Sequence, residues 1–325
     1  MKKGIYLILS IFFLAGCSLP FLNEEGKVEE NAEQKQISNN VVEKEPNTII
    51  EKVIEKNIPP VAEKIPFKLA KEEKTFLLIG VDSREEVKAS SRSDAIMLAK
   101  YEPKDKKLKL VSLMRDSYVK IPDAPYPYSK LNHAYYFGGT DLLKKTIEEN
   151  FTVKIDNTAV VDFKGFIKIM DSIAPDGLDV NVTKEMINEL QLDMESGKQR
   201  LKGEELLKFV RFRHDSQNDF GRVNRQQEVL ISLKEQAVEK FSSVEGIATF
   251  PSVVKQAMQN VETDLKMDEI VSLGAAFLLN PVSDIETLRI PVSNSYENKS
   301  YQHAGLVLQI DYKENEEALK QFLQD

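Results

Sequence analysis

Residues 75–84 read Thr75-Phe76-Leu77-Leu78-Ile79-Gly80-Val81-Asp82-Ser83-Arg84. An unbroken apolar run, stopped by an acid, a hydroxyl and a base, suits a strand buried on both faces of a sheet. Two further strands are expected at 95–101 and 108–114, separated by the turn signal Glu102-Pro103-Lys104-Asp105. Beyond a proline-rich loop at 121–127, helical patterns at 131–137 and 140–150 precede a strand at 157–162, a helix at 163–172 and a strand at 178–182. Helices fit 203–212, 222–241, 252–261 and 268–279, and the chain closes with strands near 285–290 and 306–312 and a helix at 315–323. Strands and helices interleave, so the expected fold is α/β: a mixed central sheet flanked by helices on both faces, an α-β-α sandwich.

The chain has 325 residues, 42% hydrophobic and 30% charged, which is globular composition with room for one sizeable domain or two small ones. Lys+Arg number 44 against 52 Asp+Glu, a net charge of −8, so no broad basic surface is available to grip a nucleic-acid backbone. One cysteine and three histidines exclude a Cys/His zinc site, a dithiol redox pair and an intrachain disulfide. A metal held here is a hard cation on oxygen ligands.

Lys2 and Lys3 precede an apolar stretch at 5–15, about half the roughly 20 residues needed to span a bilayer, which reads as a signal peptide over 1–16. The stretch ends in Leu14-Ala15-Gly16-Cys17, similar to a bacterial lipobox, a pattern that implies cleavage before Cys17 and lipidation of its thiol. The alternative is an incidental cysteine beside an ordinary signal sequence. Removing residues 1–16 takes away two lysines and no acid, leaving 42 basic and 52 acidic residues, or −10. Residues 17–70, rich in Glu, Lys, Asn and Gln and interrupted by Pro46, Pro59, Pro60 and Pro66, read as a solvated spacer, with one weak helical stripe at 47–56. The folded domain is then 71–325.

Arginine placement carries most of the chemical information. Only nine arginines occur, yet four fall at 211, 213, 222 and 225, and Arg84, Arg92 and Arg115 flank expected strand ends. A guanidinium offers a planar fork of donors that grips phosphate or carboxylate, where lysine offers a point charge. Asp82, Asp94 and Asp116 accompany them at strand ends, the place where open α/β sheets bind ligands. Two or three such carboxylates can hold Mg²⁺ while a substrate phosphate fills other positions. The alternative reading is a set of structural ion pairs, Asp82–Arg115 and Asp94–Arg92. On a helix beginning near Gly221, Arg222, Arg225 and Gln226 share one face. They form either a solvated face or, beside a positive helix end, an anion site.

The segments Phe76–Arg84, Arg92-Ser93-Asp94, Leu113-Met114-Arg115-Asp116, Lys130-Leu131-Asn132, Val161–Phe166, Phe209–His214, Asp219–Arg222 and Arg225-Gln226 together resemble the LytR-CpsA-Psr proteins of bacterial envelopes, in order and over most of the chain from about residue 74. The resemblance implies an enzyme that transfers a glycan phosphate, such as teichoic acid, from an undecaprenyl-pyrophosphate carrier onto peptidoglycan, releasing undecaprenyl phosphate. It implies Mg²⁺, with Mn²⁺ as a substitute, held by Asp82 and Asp94, and a pyrophosphate gripped by Arg92, Arg115, Arg211, Arg213, Arg222 and Gln226. Asp82, Asp94 and Arg115 then form the catalytic group, with Asp82 as base. A channel for the polyprenyl tail would draw on Phe163, Phe166 and Ile167. The implied location is the extracytoplasmic face of the cell membrane, held there by lipid on Cys17 where most members of the family use a transmembrane helix. Met114 stands where a proline is more usual, and Asp123-Ala124-Pro125-Tyr126-Pro127-Tyr128 is an idiosyncratic loop beside the motifs.

Other chemistries find no support. Serine-hydrolase, zinc-protease and P-loop patterns are absent from the sequence, and His133 and His214 lack a second ligand at metal spacing, which leaves them hydrogen-bonding roles. Two alternatives to transfer remain open: a non-catalytic polyprenyl-phosphate binder and a polyprenyl pyrophosphatase.

Overall fold

The computed structural model describes residues 69–82, 92–214, 218–241, 243–282 and 285–324. The signal peptide, Cys17, the spacer as far as residue 68, the stripe at 47–56 and Arg84 lie outside the described residues.

A six-stranded sheet runs in the order β10-β3-β2-β1-β6-β9: β1 (Lys74–Val81), β2 (Ser93–Glu102), β3 (Lys107–Leu113), β6 (Asn157–Asp162), β9 (Glu262–Thr263) and β10 (Ile285–Ile290). It is mixed: β1 pairs antiparallel with β2 and parallel with β6, and β10 pairs parallel with β3. On one face Leu77, Ile79, Leu98 and Val111 pack against Leu131, Leu143 and Ile147 of α1 (Leu131–Phe151) and Leu319 of α8 (Tyr312–Gln324). The opposite face meets α2 (Phe163–Ile173), α4 (Gly203–Arg211) and α5 (Asn218–Phe241), with α6 (Val244–Met258) and α7 (Met267–Leu279) packed beyond. This is the expected α-β-α sandwich.

β1 departs from the expectation of burial on both faces. Leu77, Ile79 and Val81 are buried, whereas Phe76, Leu78 and Gly80 are only half-buried, because helices do not close fully over that side. The helical patterns at 131–137 and 140–150 form one element interrupted at Gly138-Gly139, where φ of Gly139 is +65°.

Five strands and one helix were not expected from sequence. β4 (Ser117–Lys120) and β5 (Tyr128–Lys130) join β11 (Tyr296–Tyr301) and β12 (Gly305–Ile310) in a second sheet of order β11-β12-β4-β5, in which β12 begins one residue earlier and ends two earlier than the sequence suggests. β8 (Gly197–Leu201) pairs with β7 (Leu178–Val182), and α3 (Lys184–Leu190) links them, while two-residue β9 edges the main sheet. α6 begins at Val244, capped by Ser243 Oγ on Gly246 N at 3.0 Å, and carries Pro251 inside it.

Candidate functional site

The gap over β1 is a cavity of about 370 Å³, within the range of small-molecule sites. Its floor is one face of three strands: Leu78 and Gly80, Ala95 and Met97, Ala159 and Val161. Small residues keep the floor low. A Cβ on Gly80 would sit 3.1 Å from the Ala95 methyl, so glycine lets β1 and β2 approach there. α2 supplies Phe163, Phe166, Ile169 and Met170, α4 supplies Leu207 and Val210, and α5 supplies Val229, Leu230 and Leu233. Ile167, expected with the two phenylalanines, is not among the lining residues and packs with the cluster of α2, α4 and β7 instead.

This apolar chamber opens on charge. Asp94, Asp162, Arg211, Arg213, Arg222 and Gln226 line the same cavity as the hydrophobic residues. Arg115 joins them through ion pairs to Asp94, to Asp116 at 3.6 Å and to Asp219 at 3.7 Å. Asp219 also takes Arg213 Nε at 2.6 Å and Arg222 Nη1 at 3.4 Å, so one carboxylate holds three guanidinium groups, two from just past the ends of β3 and α4 and one from α5. Arg211 stacks over the Phe163 ring at 4.1 Å and reaches Asp82 at 3.8 Å. Lys130 Nζ donates to Asp116 at 2.7 Å. Although burial pushes the Asp116 carboxyl up, its bond to Lys130 and the Arg115 charge prevail and hold it below the usual range.

The structure re-pairs the ions expected from sequence. Asp82–Arg115 and Asp94–Arg92 do not appear among the described ion pairs; the pairs are Asp94–Arg115 and Asp82–Arg211. Strand order is the reason. β3 lies next to β2, so Arg115 just past its end meets Asp94 at the start of β2, while Asp82, at the end of β1 one strand further away, pairs with Arg211 at the end of α4. Arg92 is exposed and outside the cavity lining, with its guanidinium 5.8 Å from the Tyr136 ring centroid.

α5 starts at Asn218, three residues before Gly221, so Arg222 lies inside the helix rather than at its positive end. The shared face also divides by role. Arg222 and Gln226 line the cavity, whereas Arg225 is buried, donates to the Phe212 carbonyl and packs over its ring. Asp219 is a site residue to which sequence reading assigns no role, although a carboxylate three residues before an arginine in a helical stretch signals their pairing.

The five cations Arg115, Arg211, Arg213, Arg222 and Lys130 are matched in number by Asp82, Asp94, Asp116, Asp162 and Asp219, but Arg222 is crowded by Arg115 and Arg213. Arg222 is 4% exposed, and burial, followed by Arg115, pulls its guanidinium down to about 10. Arg115 Nε and Arg222 Nε are buried without a hydrogen-bond acceptor. Donors left unpaired in low dielectric are costly unless an anion completes them. The arrangement can therefore take a phosphorylated headgroup at the arginines and an apolar chain in the chamber.

Asp82 and Asp94 stand at adjoining ends of β1 and β2, where the register shifts between Gly80 and Val81. No group of three His, Cys, Asp or Glu able to hold a metal occurs among the described residues. Two hard oxygen donors nonetheless match a cation that takes one or two carboxylates and completes its shell with substrate phosphates and water. His133 and His214 are hydrogen-bonded, to Ser129 Oγ at 2.8 Å and to Glu189.

The LytR_cpsA_psr family model matches residues 26–321. The regulatory protein MsrR of Staphylococcus aureus is 37% identical over 251 residues, covering 77% of this chain and 74% of its own. The polyisoprenyl-teichoic acid–peptidoglycan teichoic acid transferase TagV of Bacillus subtilis is 30% identical over 230 residues, 68% of this chain and 57% of its own. The crystal structure of B. subtilis TagV gives a TM-score of 0.64 at 26% identity, covering 79% of this chain and 99% of that one. The structure of TagT bound to LI-WTA shares the fold, with a TM-score of 0.63 at 24% identity over 80% of this chain and 94% of that one. Motifs, fold and family match agree: the chain belongs to the LytR-CpsA-Psr family.

Proposed function

We propose that this protein transfers a phosphate-linked wall glycan from a polyprenyl-pyrophosphate carrier to peptidoglycan. The observation that carries the reading is the single cavity whose interior is apolar and whose mouth is lined by Arg211, Arg213, Arg222 and Gln226. It suits a lipid pyrophosphate better than a soluble nucleotide, which would leave the phenylalanine-lined chamber unfilled. TagV, a relative by sequence and structure, is a teichoic acid transferase by name.

In this reading the arginines and Gln226 hold the pyrophosphate, and the tail lies between Phe163, Phe166 and the floor of β1, β2 and β6. A sugar hydroxyl of the acceptor attacks the phosphorus that bears the glycan. The P–O bond to the bridging oxygen breaks, polyprenyl phosphate leaves with the electron pair, and the hydroxyl proton passes to the Asp82 carboxylate. The guanidinium groups meet the charge that grows on the leaving phosphate. Mg²⁺, or Mn²⁺ in its place, held by Asp82 and Asp94 with the substrate's phosphate oxygens, would add charge neutralisation at the pyrophosphate. Lipidation of Cys17 would hold the domain at the extracytoplasmic face of the membrane, where carrier and wall meet.

The test is reconstitution. Full-length protein in detergent, given a lipid-linked polymer analogue and peptidoglycan fragments, should release polyprenyl phosphate and label peptidoglycan in equal amounts. Release without labelling would establish a pyrophosphatase, and binding with neither would establish a carrier-binding protein; both outcomes overturn the transfer reading.

A further inference from the structure

The idiosyncratic 123–128 loop leads into an aromatic surface that the donor site does not use. β4 and β5 pair so that Tyr118 lies opposite Lys130 and Lys120 opposite Tyr128. On the side of this sheet facing away from the main core, Tyr118 stacks on Tyr301 at 4.5 Å and 11° between planes, and on Tyr128 at 5.9 Å and 27°. Tyr126 stacks on His303 at 4.6 Å and 25°, and His303 Nε2 hydrogen-bonds the Tyr128 carbonyl at 2.9 Å. Four tyrosines and a histidine thus form one patch, with its outermost rings, Tyr126 and Tyr128, 46% and 43% exposed.

Tyr126 and Tyr128 each stack on one ring of the patch and leave much of their remaining surface to solvent, where a partner can dock. The loop also holds them still. Tyr126 sits between Pro125 and Pro127, which restrict its backbone, while Ile121 N donates to the Pro127 carbonyl at 2.9 Å and Lys145 pairs with Asp123 at 2.9 Å. A ring displayed on a stiff loop loses little conformational freedom on binding.

Position identifies the occupant. Tyr118 is the cross-strand neighbour of Lys130, whose ammonium bonds Asp116, and Asp116 pairs with Arg115 of the donor site. A strand advances roughly 3.3 Å per residue, so the patch begins about 7 Å along β4 from Asp116. The second substrate must approach this mouth with a hydroxyl. Flat, neutral rings edged with phenol and imidazole groups match a pyranose, which offers a C–H face to stack and polar groups at its rim.

We propose that the surface presented by Tyr126 and Tyr128, backed by Tyr118, Tyr301 and His303, is the binding platform for the amino-sugar strand of the acceptor. The proposal rests on the transfer reading for its role, and its binding test needs no donor. Isothermal titration of the full-length protein in detergent with a β-1,4-linked N-acetylglucosamine hexamer should show binding that weakens about tenfold or more in the Tyr126→Ala/Tyr128→Ala double variant. The Tyr126→Phe/Tyr128→Phe variant should retain most of the affinity, since the ring face does the stacking. Both variants should bind the lipid-linked donor as the parent does, which shows that the fold and mouth are intact. No hexamer binding by the parent protein, or equal binding by the Ala variant, would overturn the platform. Hexamer binding that follows these variants in a protein that transfers no polymer would sustain the platform while the transfer reading falls.

Discussion

Replacing Arg222 by Met should make the protein more stable and unable to hold its donor. The guanidinium is buried in the second turn of α5, has no acceptor for Nε and faces Arg115. With its proton affinity pulled down to about 10, and about 1.36 kcal/mol for each pH unit, the charged form is disfavoured by about 3 kcal/mol in the folded chain. Methionine fills a similar volume and keeps the apolar stem. Asp219 keeps Arg213 at 2.6 Å, so no carboxylate is stranded. Losing the 3.4 Å contact to Asp219 offsets part of the gain, leaving about 1–2 kcal/mol of net stabilisation. For a domain of this size that is a rise of about 3–6 °C in Tm. Because the folded-state value lies below the unfolded one, the penalty is fully present below about pH 10 and is relieved as pH rises through it. Thermal unfolding followed by circular dichroism should therefore show a higher Tm for the variant at pH 7.5 and a smaller difference at pH 10.5. Added polyprenyl pyrophosphate should stabilise the parent more than the variant. A Tm at pH 7.5 equal to or below that of the parent would refute the claim that this cation is held at a cost for its ligand.

Asp82→Asn and Asp94→Asn should each reduce metal-stimulated release of polyprenyl phosphate by about a hundredfold or more, with far-UV spectra unchanged; full turnover by either variant, or by the parent protein in excess chelator, would remove the metal role. Ala159→Phe raises the cavity floor, so it should displace co-purifying polyprenyl lipid, measured by mass spectrometry, while an inorganic pyrophosphate titration at the arginines stays unchanged. Burial first, then Arg92 and Lys130, lower His133 to about 4, so the neutral ring supports the fold above about pH 6.5 and that support is lost as pH falls through 4. His133→Gln should flatten the stability profile across that window; an unchanged acid limb would refute it. Cys17→Ala should release the protein from membranes or leave it with an uncleaved leader, as fractionation and intact mass would show.

The sequence reads well wherever one element supplies its own pattern. β6, β7 and β10 have the expected limits because each is a short segment rich in Val, Ile or Leu, with β7 alternating apolar and polar residues as a half-buried strand should. β11 reads Tyr-Glu-Asn-Lys-Ser-Tyr, is exposed at its four central residues and exists because β12 pairs with it, so nothing local announces it. β4 and β5 are four and three residues long, too short for a period to show. At α6 the sequence pattern suggests 252–261, whereas the helix runs Val244–Met258 from the Ser243 cap with Pro251 inside it. Residue types at the site were legible, since arginine in a lysine-rich chain stands out. Partners were not, because Asp94 and not Asp82 reaches Arg115 only once β2 lies between β1 and β3.

Asp219 explains how the site persists before substrate arrives. Arg115, Arg213 and Arg222 repel one another, and a carboxylate 16% exposed among them holds all three together, with Arg213 and Arg222 lining the cavity. One negative charge against three cannot neutralise them, and the Nε atoms of Arg115 and Arg222 stay unfilled. Asp94 and Asp116 supply further compensation from the Arg115 side, and Lys130 returns part of the positive charge through Asp116. Counted with Arg211, Asp82 and Asp162, the five cations and five carboxylates balance, so what is left for a ligand is the pair of unpaired Nε donors, which phosphate oxygens suit. Asp219 therefore acts as a placeholder that positions the forks without satisfying them. Its removal should loosen all three arginines together, whereas a lost arginine leaves the other two in place.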